Sequence, residues 1–422
     1  MPLVVCQDFF GLEDELFRRI DAVKRENPTA AVAVVVPTSR ILTRLRRLIL
    51  ESGRTYLGLH LLHHLAFAER ILETSPSPVP RMVGSELLQP LLQAVLETRT
   101  APGPLARYAL QYPGARATLL GTLTDLRDAQ ADPETTSEVL AKSATVRELG
   151  EIFKDYNRAL GTLESLGLTD TCGLIGRAIT FVHRSEFLES LKELFHFGAY
   201  DLIQIHQNLL LEVSRKVPVT LLVPGIGDGP AFGYAKRFLD RPLALSLGSP
   251  EPINAPGPGL FSDRLHHLYD EGAAPGPSAA ATKCEVLTAA GDRLELEAVA
   301  RRALQAHHEG IPLHEIGVVA RTLEPYAAHL EAVFDAFSLP FVTSAVQPLL
   351  RYPGPLAFRK LLGILDDDFP RSQVIELFRS AAFRLKYFFG KSEPVRPDRW
   401  DLWSREAGIV VGRQDWLERL PR

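Results

Sequence analysis

The stretch Phe195–Gln207, FHFGAYDLIQIHQ, decides the fold. It follows a charged amphipathic run, Glu186–Glu193, and starts inside a short apolar segment, Leu194–Phe197. Leu202, Ile205, Leu209 and Leu210 then recur at helical spacing. A second apolar run, Val219–Val223, ends at Pro224-Gly225. Strand, turn, helix, strand is the parallel α/β pattern, because such strands are covered on both faces and read as unbroken apolar runs. A sheet of this kind that hydrolyses a nucleotide carries two acids at the tip of the first strand, where they hold Mg²⁺ and orient water. Gly198 and Ala199 stand there instead.

The pattern extends in both directions. Leu3–Cys6 reads as a buried strand, and Leu12, Leu16, Ile20 and Val23 mark one face of a helix over Leu12–Arg25. A phosphate-cradling loop between them would be Gly-rich and end in Gly-Lys-Ser/Thr. Residues Gln7 to Gly11 hold one glycine and no lysine. Gly390-Lys391-Ser392 imitates such a loop, but the glycine required five residues earlier is Leu385. The clearest strand is Ala31–Val36, stopped by Pro37, with Thr38-Ser39 able to cap the next helix. On that helix Ile41, Leu42, Leu45, Leu48 and Ile49 form the core face, with Arg40, Arg44, Arg46 and Arg47 opposite or at the flank. The arginines read as a solvated face or as phosphate contacts. Tyr56–Leu72 begins strand-like and turns helical, with His60, His63 and His64 in it. Their spacing, without a nearby cysteine or acid, is poor for zinc.

Residues 75–80, SPSPVP, read as a linker. Helical patterns then fill Ser85–Thr98, Gly103–Ala129, Pro133–Ala141, Thr145–Leu166 and Asp170–His183. That is too long for one crossover and reads as an inserted helical subdomain. Residues 224–282 are rich in Gly, Pro, Ala and Ser, and read as a domain junction around a short helical piece, Leu260–Tyr269. A second α/β unit begins near Cys284, with strands expected at its start, at Ile316–Ala320 and at LPFVTSA, residues 339–345. From Pro353 the pattern is helical again.

Composition narrows the class. The chain has 422 residues, 46% hydrophobic and 23% charged, with a net charge of −4. It is not a generally basic DNA-coating protein, although a local basic groove is compatible with that charge. No apolar run is long enough to span a bilayer, and no secretory signal precedes the first strand. Cys6, Cys172 and Cys284 are far apart, as expected of reduced thiols in a cytoplasmic protein.

These features resemble one family. Tyr200 and Gln207 fit the frame of the Walker B region of superfamily 1 helicases of the UvrD/RecB kind, an apolar strand, two acids, an aromatic and a glutamine, without the acids. Glu297, the stretch IGVVAR (316–321), Tyr326 and LPF (339–341) resemble the opening of those helicases' second RecA-like domain. DRWDLWSREAGIVVGRQDWLERL, from Asp398, resembles a stretch of AddB-type subunits, the B subunits of bacterial ATP-dependent helicase–nucleases. The resemblance implies a RecA-like parallel-sheet domain over 1–84 and 191–225, with a helical insertion at 85–190. It further implies a linker at 226–282, the start of a second RecA-like domain at 283–350, and its own helical insertion at 351–422. It also implies a module that contacts single-stranded DNA without hydrolysing ATP, in double-strand break repair and recombination. Thr38, Ser39, Arg40 and Arg44, with His63, are then the DNA contacts, and Gly198, Ala199 and Arg321 mark a degenerate nucleotide site, Arg321 facing an inter-domain cleft. ATP and Mg²⁺ belong on an AddA-type partner subunit. The iron–sulfur cysteines and the nuclease constellation are missing, since no lysine follows Lys391 to complete a site at Asp398. The resemblance covers the first third to half of a family member, as expected of a truncation or fragment. A scaffold that never touches DNA, or a helicase or nuclease with unusual motifs, is the alternative.

Overall fold

A computed structural model describes residues 3–6, 9–139, 143–198, 202–224, 250–253, 285–344, 348–382 and 396–420. The chain divides into two units, Met1–Lys283 and Cys284–Arg422.

The first unit is built on six parallel strands. In chain order they are β1 (Leu3–Cys6), β2 (Ala31–Val36), β3 (Leu59–His63), β6 (Leu191–Phe197), β7 (Val219–Pro224) and β8 (Pro250–Ile253). In space they run β3-β2-β6-β7-β1-β8. Side-chain alternation sends Val32, Val34, Val36, Phe195 and Phe197 to one face. There they meet α1 (Phe9–Glu26) and α2 (Ser39–Glu51) through Leu12, Leu16, Ile20, Leu42 and Leu45. Ala33, Val35, Leu194, Leu221 and Val223 face the other way. They pack against α3 (His64–Leu72), α9 (Thr171–Phe181) and α11 (Gln204–Ser214). This is the helix-covered parallel sheet the apolar runs called for, a RecA-like α/β arrangement with a helical insertion.

The excursion between β3 and β6 has its own core. A short parallel pair, β4 (Arg81–Met82) and β5 (Leu168–Thr169), joins its two ends. Between them run α4 (Ser85–Glu97), α5 (Pro104–Gln111), α6 (Pro113–Asp128), α7 (Pro133–Val139) and α8 (Ala144–Ser165). Leu92, Leu96, Leu123, Ile152, Phe153 and Tyr156 are buried together there. Helix α9, inside the stretch read as insertion, packs instead in the core of the sheet.

The linker reading changes in one place. PEPI (250–253), read as linker, is a strand paired with β1 and, among the described residues, the edge of the sheet. Its prolines suit an edge, where an N–H facing away from the ladder is not missed. The rest of the proposed linker, the piece Leu260–Tyr269 and the imitation loop at Gly390 lie outside the described residues.

In the second unit the expected strands are not paired. Residues 285–289, 316–320 and 340–344 are without ladder hydrogen bonds. Val286, Val319 and Val342 are 89%, 96% and 102% exposed. A parallel strand is stable only between neighbours that take its N–H and C=O groups, and no such neighbour is among the described residues. What packs is helical. Asp292–His308 lies against Glu324–Ala336 through Leu296, Ala300, Leu330 and Phe334. Pro353–Asp366 and Arg371–Arg379 share a second small core. Gly408 and Gly412 take positive φ on either side of the turn before the last described helix, a conformation that costs glycine little.

Candidate nucleic-acid interface

All six strands are parallel, so the C-terminal ends of β2, β3 and β6 open onto the same edge. That is where the following helices present free N–H groups. At the end of β2, Thr38 is the N-cap of α2, and its hydroxyl accepts a hydrogen bond from the Ile41 N–H. Thr38, Ser39 and Arg40 are exposed, and Arg40 has no ion pair among the described residues. The sequence placed these three together, and the structure does so.

Arg44 has a partner that the sequence did not show. Its guanidinium grips the Glu13 carboxylate in a two-pronged pair, with Nη2 to Oε2 at 2.9 Å. Glu13 is 4% exposed. Arg44 therefore ties α2 to α1 and neutralises a buried charge. Arg47 pairs with Glu51 one turn on. His63 caps α3, its Nδ1 accepting from the Ala66 N–H.

The position of the nucleotide-binding acids is equally specific. Gly198 ends β6 at φ 84°, and its N–H donates to the Leu222 carbonyl. A Cβ there would meet Ile41 Cδ1 at 3.4 Å. An L-residue is strained in this conformation, which suits the glycine found there. Ala199 and Tyr200 lie outside the described residues. Gln207 is buried, and its Nε2 donates to the Leu202 carbonyl, bracing the entry to α11. At the first strand, β1 ends at Cys6 and α1 begins at Phe9, so only Gln7 and Asp8 separate them. Gly11 is already inside the helix. In the second unit, Arg321 is exposed on a groove of about 1050 Å³ bounded by Val318, Phe341 and Val342.

The sequence reading missed a histidine cluster behind this edge. His64 Nε2 lies 2.9 Å from His196 Nε2. His206 stacks on His64, with ring centroids 3.8 Å apart and planes 8° from parallel. Burial holds all three neutral. It pushes His196 down to about 3 and His206 down to about 4. His64 falls furthest, first from burial and then from its histidine neighbours. Two members sit in the opening stretch and one at the start of α3, and only the fold brings them together. Among the described residues no group of three or more His, Cys, Asp or Glu is placed to hold a metal.

The fold defines the class as a parallel, RecA-like α/β module with a helical insertion. No protein-family profile matches the chain. It is similar to the B subunit of the ATP-dependent helicase/deoxyribonuclease of Lacticaseibacillus casei, strain BL23, with 29% identity over 259 residues. That match takes in 56% of this chain and 21% of the relative. The corresponding subunits from Staphylococcus carnosus and Exiguobacterium sibiricum, which carry the same name, are each 26% identical, over 152 and 129 residues. The resemblance to AddB-type subunits is thus borne out by curated relatives, and the match spans about a fifth of the length of the first of them. No helix among the described residues is long and apolar enough to cross a membrane.

Proposed function

We propose that the chain is a non-hydrolysing, helicase-like module of an AddB-type subunit that binds single-stranded DNA in double-strand break repair and recombination. An AddA-type helicase–nuclease subunit is its partner and supplies the ATP chemistry. The observation that carries the reading is the segment Gln7 to Gly11 between the first strand and the body of α1, with one glycine and no lysine. A phosphate cradle needs a glycine-rich run of backbone N–H groups and a lysine at that point, and this segment supplies a single glycine and no lysine. Gly198 removes the second half of the catalytic apparatus. The relatives' names tie the module to a helicase/deoxyribonuclease. What survives of the helicase pattern is the DNA-facing edge at Thr38, Ser39 and Arg40. Hydroxyls and helix-start N–H groups there suit phosphate oxygens.

The test is paired. With single-stranded DNA and Mg²⁺, the purified chain binds the DNA and releases no phosphate from ATP above background. Turnover that persists through rigorous purification, or failure to bind DNA at low salt, overturns the reading.

A further inference from the structure

The helical insertion carries an aromatic surface that its own core does not use. Tyr108 and Tyr112 are 58% and 46% exposed. Their ring centroids are 4.8 Å apart and their planes are tilted by 51°. The tilt keeps the two rings from covering each other face to face. Neither phenol has a hydrogen-bond partner among the described residues. The rest of α5 is ordinary: Ala106 and Ala109 point into the insertion core, where Glu148 anchors the N-terminus of the helix by accepting from the Leu105 and Ala106 N–H groups. Tyr108 is on the exposed side of that helix and Tyr112 at the junction of α5 and α6, with Arg107 and Gln111 also exposed.

Charge distinguishes this face from a merely apolar one. From Thr98 to Thr124 there is no acidic residue, while Arg99, Arg107 and Arg116 all fall in the stretch. Arg99 is taken by Glu151 and Asp155. Arg107 and Arg116 form no ion pair among the described residues. Arg116 lies one turn into α6, its backbone N–H bonded to the Tyr112 carbonyl, and its Nε is buried without a partner. In a chain of net charge −4, an acid-free stretch with two unpaired arginines around exposed aromatic rings is complementary to a polyanion that also offers flat π-faces. Single-stranded nucleic acid is that ligand. Every base has a face to stack on, and the backbone supplies the negative charge.

We infer that Tyr108 and Tyr112 form a base-stacking platform on the insertion, with Arg107 and Arg116 flanking it as phosphate partners. This adds a second contact surface, apart from the sheet edge, to the DNA binding proposed above, and it rests on that reading. The division of labour is chemical. Stacking contributes affinity with little counterion release, whereas phosphate contacts set the salt dependence.

The experiment is a fluorescence-anisotropy titration of labelled oligothymidylate with the parent chain, Tyr108→Ala/Tyr112→Ala, Tyr108→Phe/Tyr112→Phe and Arg107→Ala. Alanine favours helix and the rings are outside the core, so circular dichroism and melting of the Ala pair stay close to the parent. The Ala pair binds roughly tenfold or more weakly with an unchanged salt slope, and the Phe pair binds like the parent. Arg107→Ala lowers the slope by about one. If the parent binds and the Ala pair binds equally well, the platform is wrong and the DNA-binding reading stands. If the parent binds no oligonucleotide at low salt, the reading beneath it fails and the platform falls with it.

Discussion

Arg40 and Arg44 lie one turn apart on α2 and do different work. Arg40 is exposed at the helix start, while Arg44 satisfies buried Glu13. The sequence shows both as one solvated arginine face, because the partner is 31 positions away and only the packing of α1 on α2 brings it in. The consequence is a split in mutational effect. Arg40→Ala leaves stability within about 0.5 kcal/mol, as expected of an exposed side chain. Arg44→Ala strands a buried carboxylate and costs about 1–3 kcal/mol, discounted because the guanidinium itself is partly solvated. Urea unfolding of the two variants measures the difference, and Glu13→Gln combined with Arg44→Ala recovers part of it. Equal midpoints for the two single variants would show that the Glu13 pair contributes nothing.

The histidines behave as residues too, through pH. His196 and His206 are held neutral in the fold, near 3 and 4, against about 6.5 in the unfolded chain. Below about pH 6.5 the unfolded state takes up protons that the folded state refuses. Stability is therefore full above that pH and falls as the pH drops toward the folded values, by about 1.4 kcal/mol per pH unit for each group. His206→Phe removes one of these protons, so its stability declines less between about pH 6.5 and pH 5 than the parent's. Parallel decline in parent and variant would place the proton uptake elsewhere.

At the scale of elements, the sequence was most readable where strands are buried on both faces. Ala31–Val36 and Val219–Val223 needed only their apolar runs, and Thr38 announced the helix it caps. PEPI did not read as a strand, because two prolines argue against a ladder and only its edge position admits them. The segments at 316–320 and 340–344 read as strands and form none, since pairing is a property of neighbours and not of the segment. Helix α9 shows how an element can be fixed by one residue. Asp170 caps it through the Gly173 N–H at 2.7 Å and holds the largely buried Arg127 at 2.9 and 3.0 Å. Arg127 in turn binds Asn157 of α8, so the carboxylate links α6, α8 and α9. Asp170→Ala loses the cap and leaves a buried guanidinium unpaired, at a cost of about 3–5 kcal/mol. Thermal melting resolves a change of that size, and a shift of only a degree or two would mean that Arg127 finds water instead.

The whole molecule is a parallel α/β unit with a self-contained helical insertion, followed by a second unit whose described elements are helices. The exposed segment Thr38-Ser39-Arg40 was legible from a strand end and a cap. The absent acids and phosphate-loop lysine were legible as missing residues, and the fold adds a left-handed glycine after β6. The histidine cluster and the tyrosine platform were not legible, because each depends on which faces the fold leaves buried or open. The central claim is that this scaffold keeps the DNA-binding half of a helicase and has lost the ATP-hydrolysing half. The most direct measurement is the affinity of the chain for single-stranded DNA across a salt series, parent against Arg40→Ala. The account predicts saturable binding that weakens linearly in log salt, with a slope smaller by about one in the variant and unchanged on adding ATP and Mg²⁺. Binding with the same slope in both proteins, or none at the lowest salt, would contradict it.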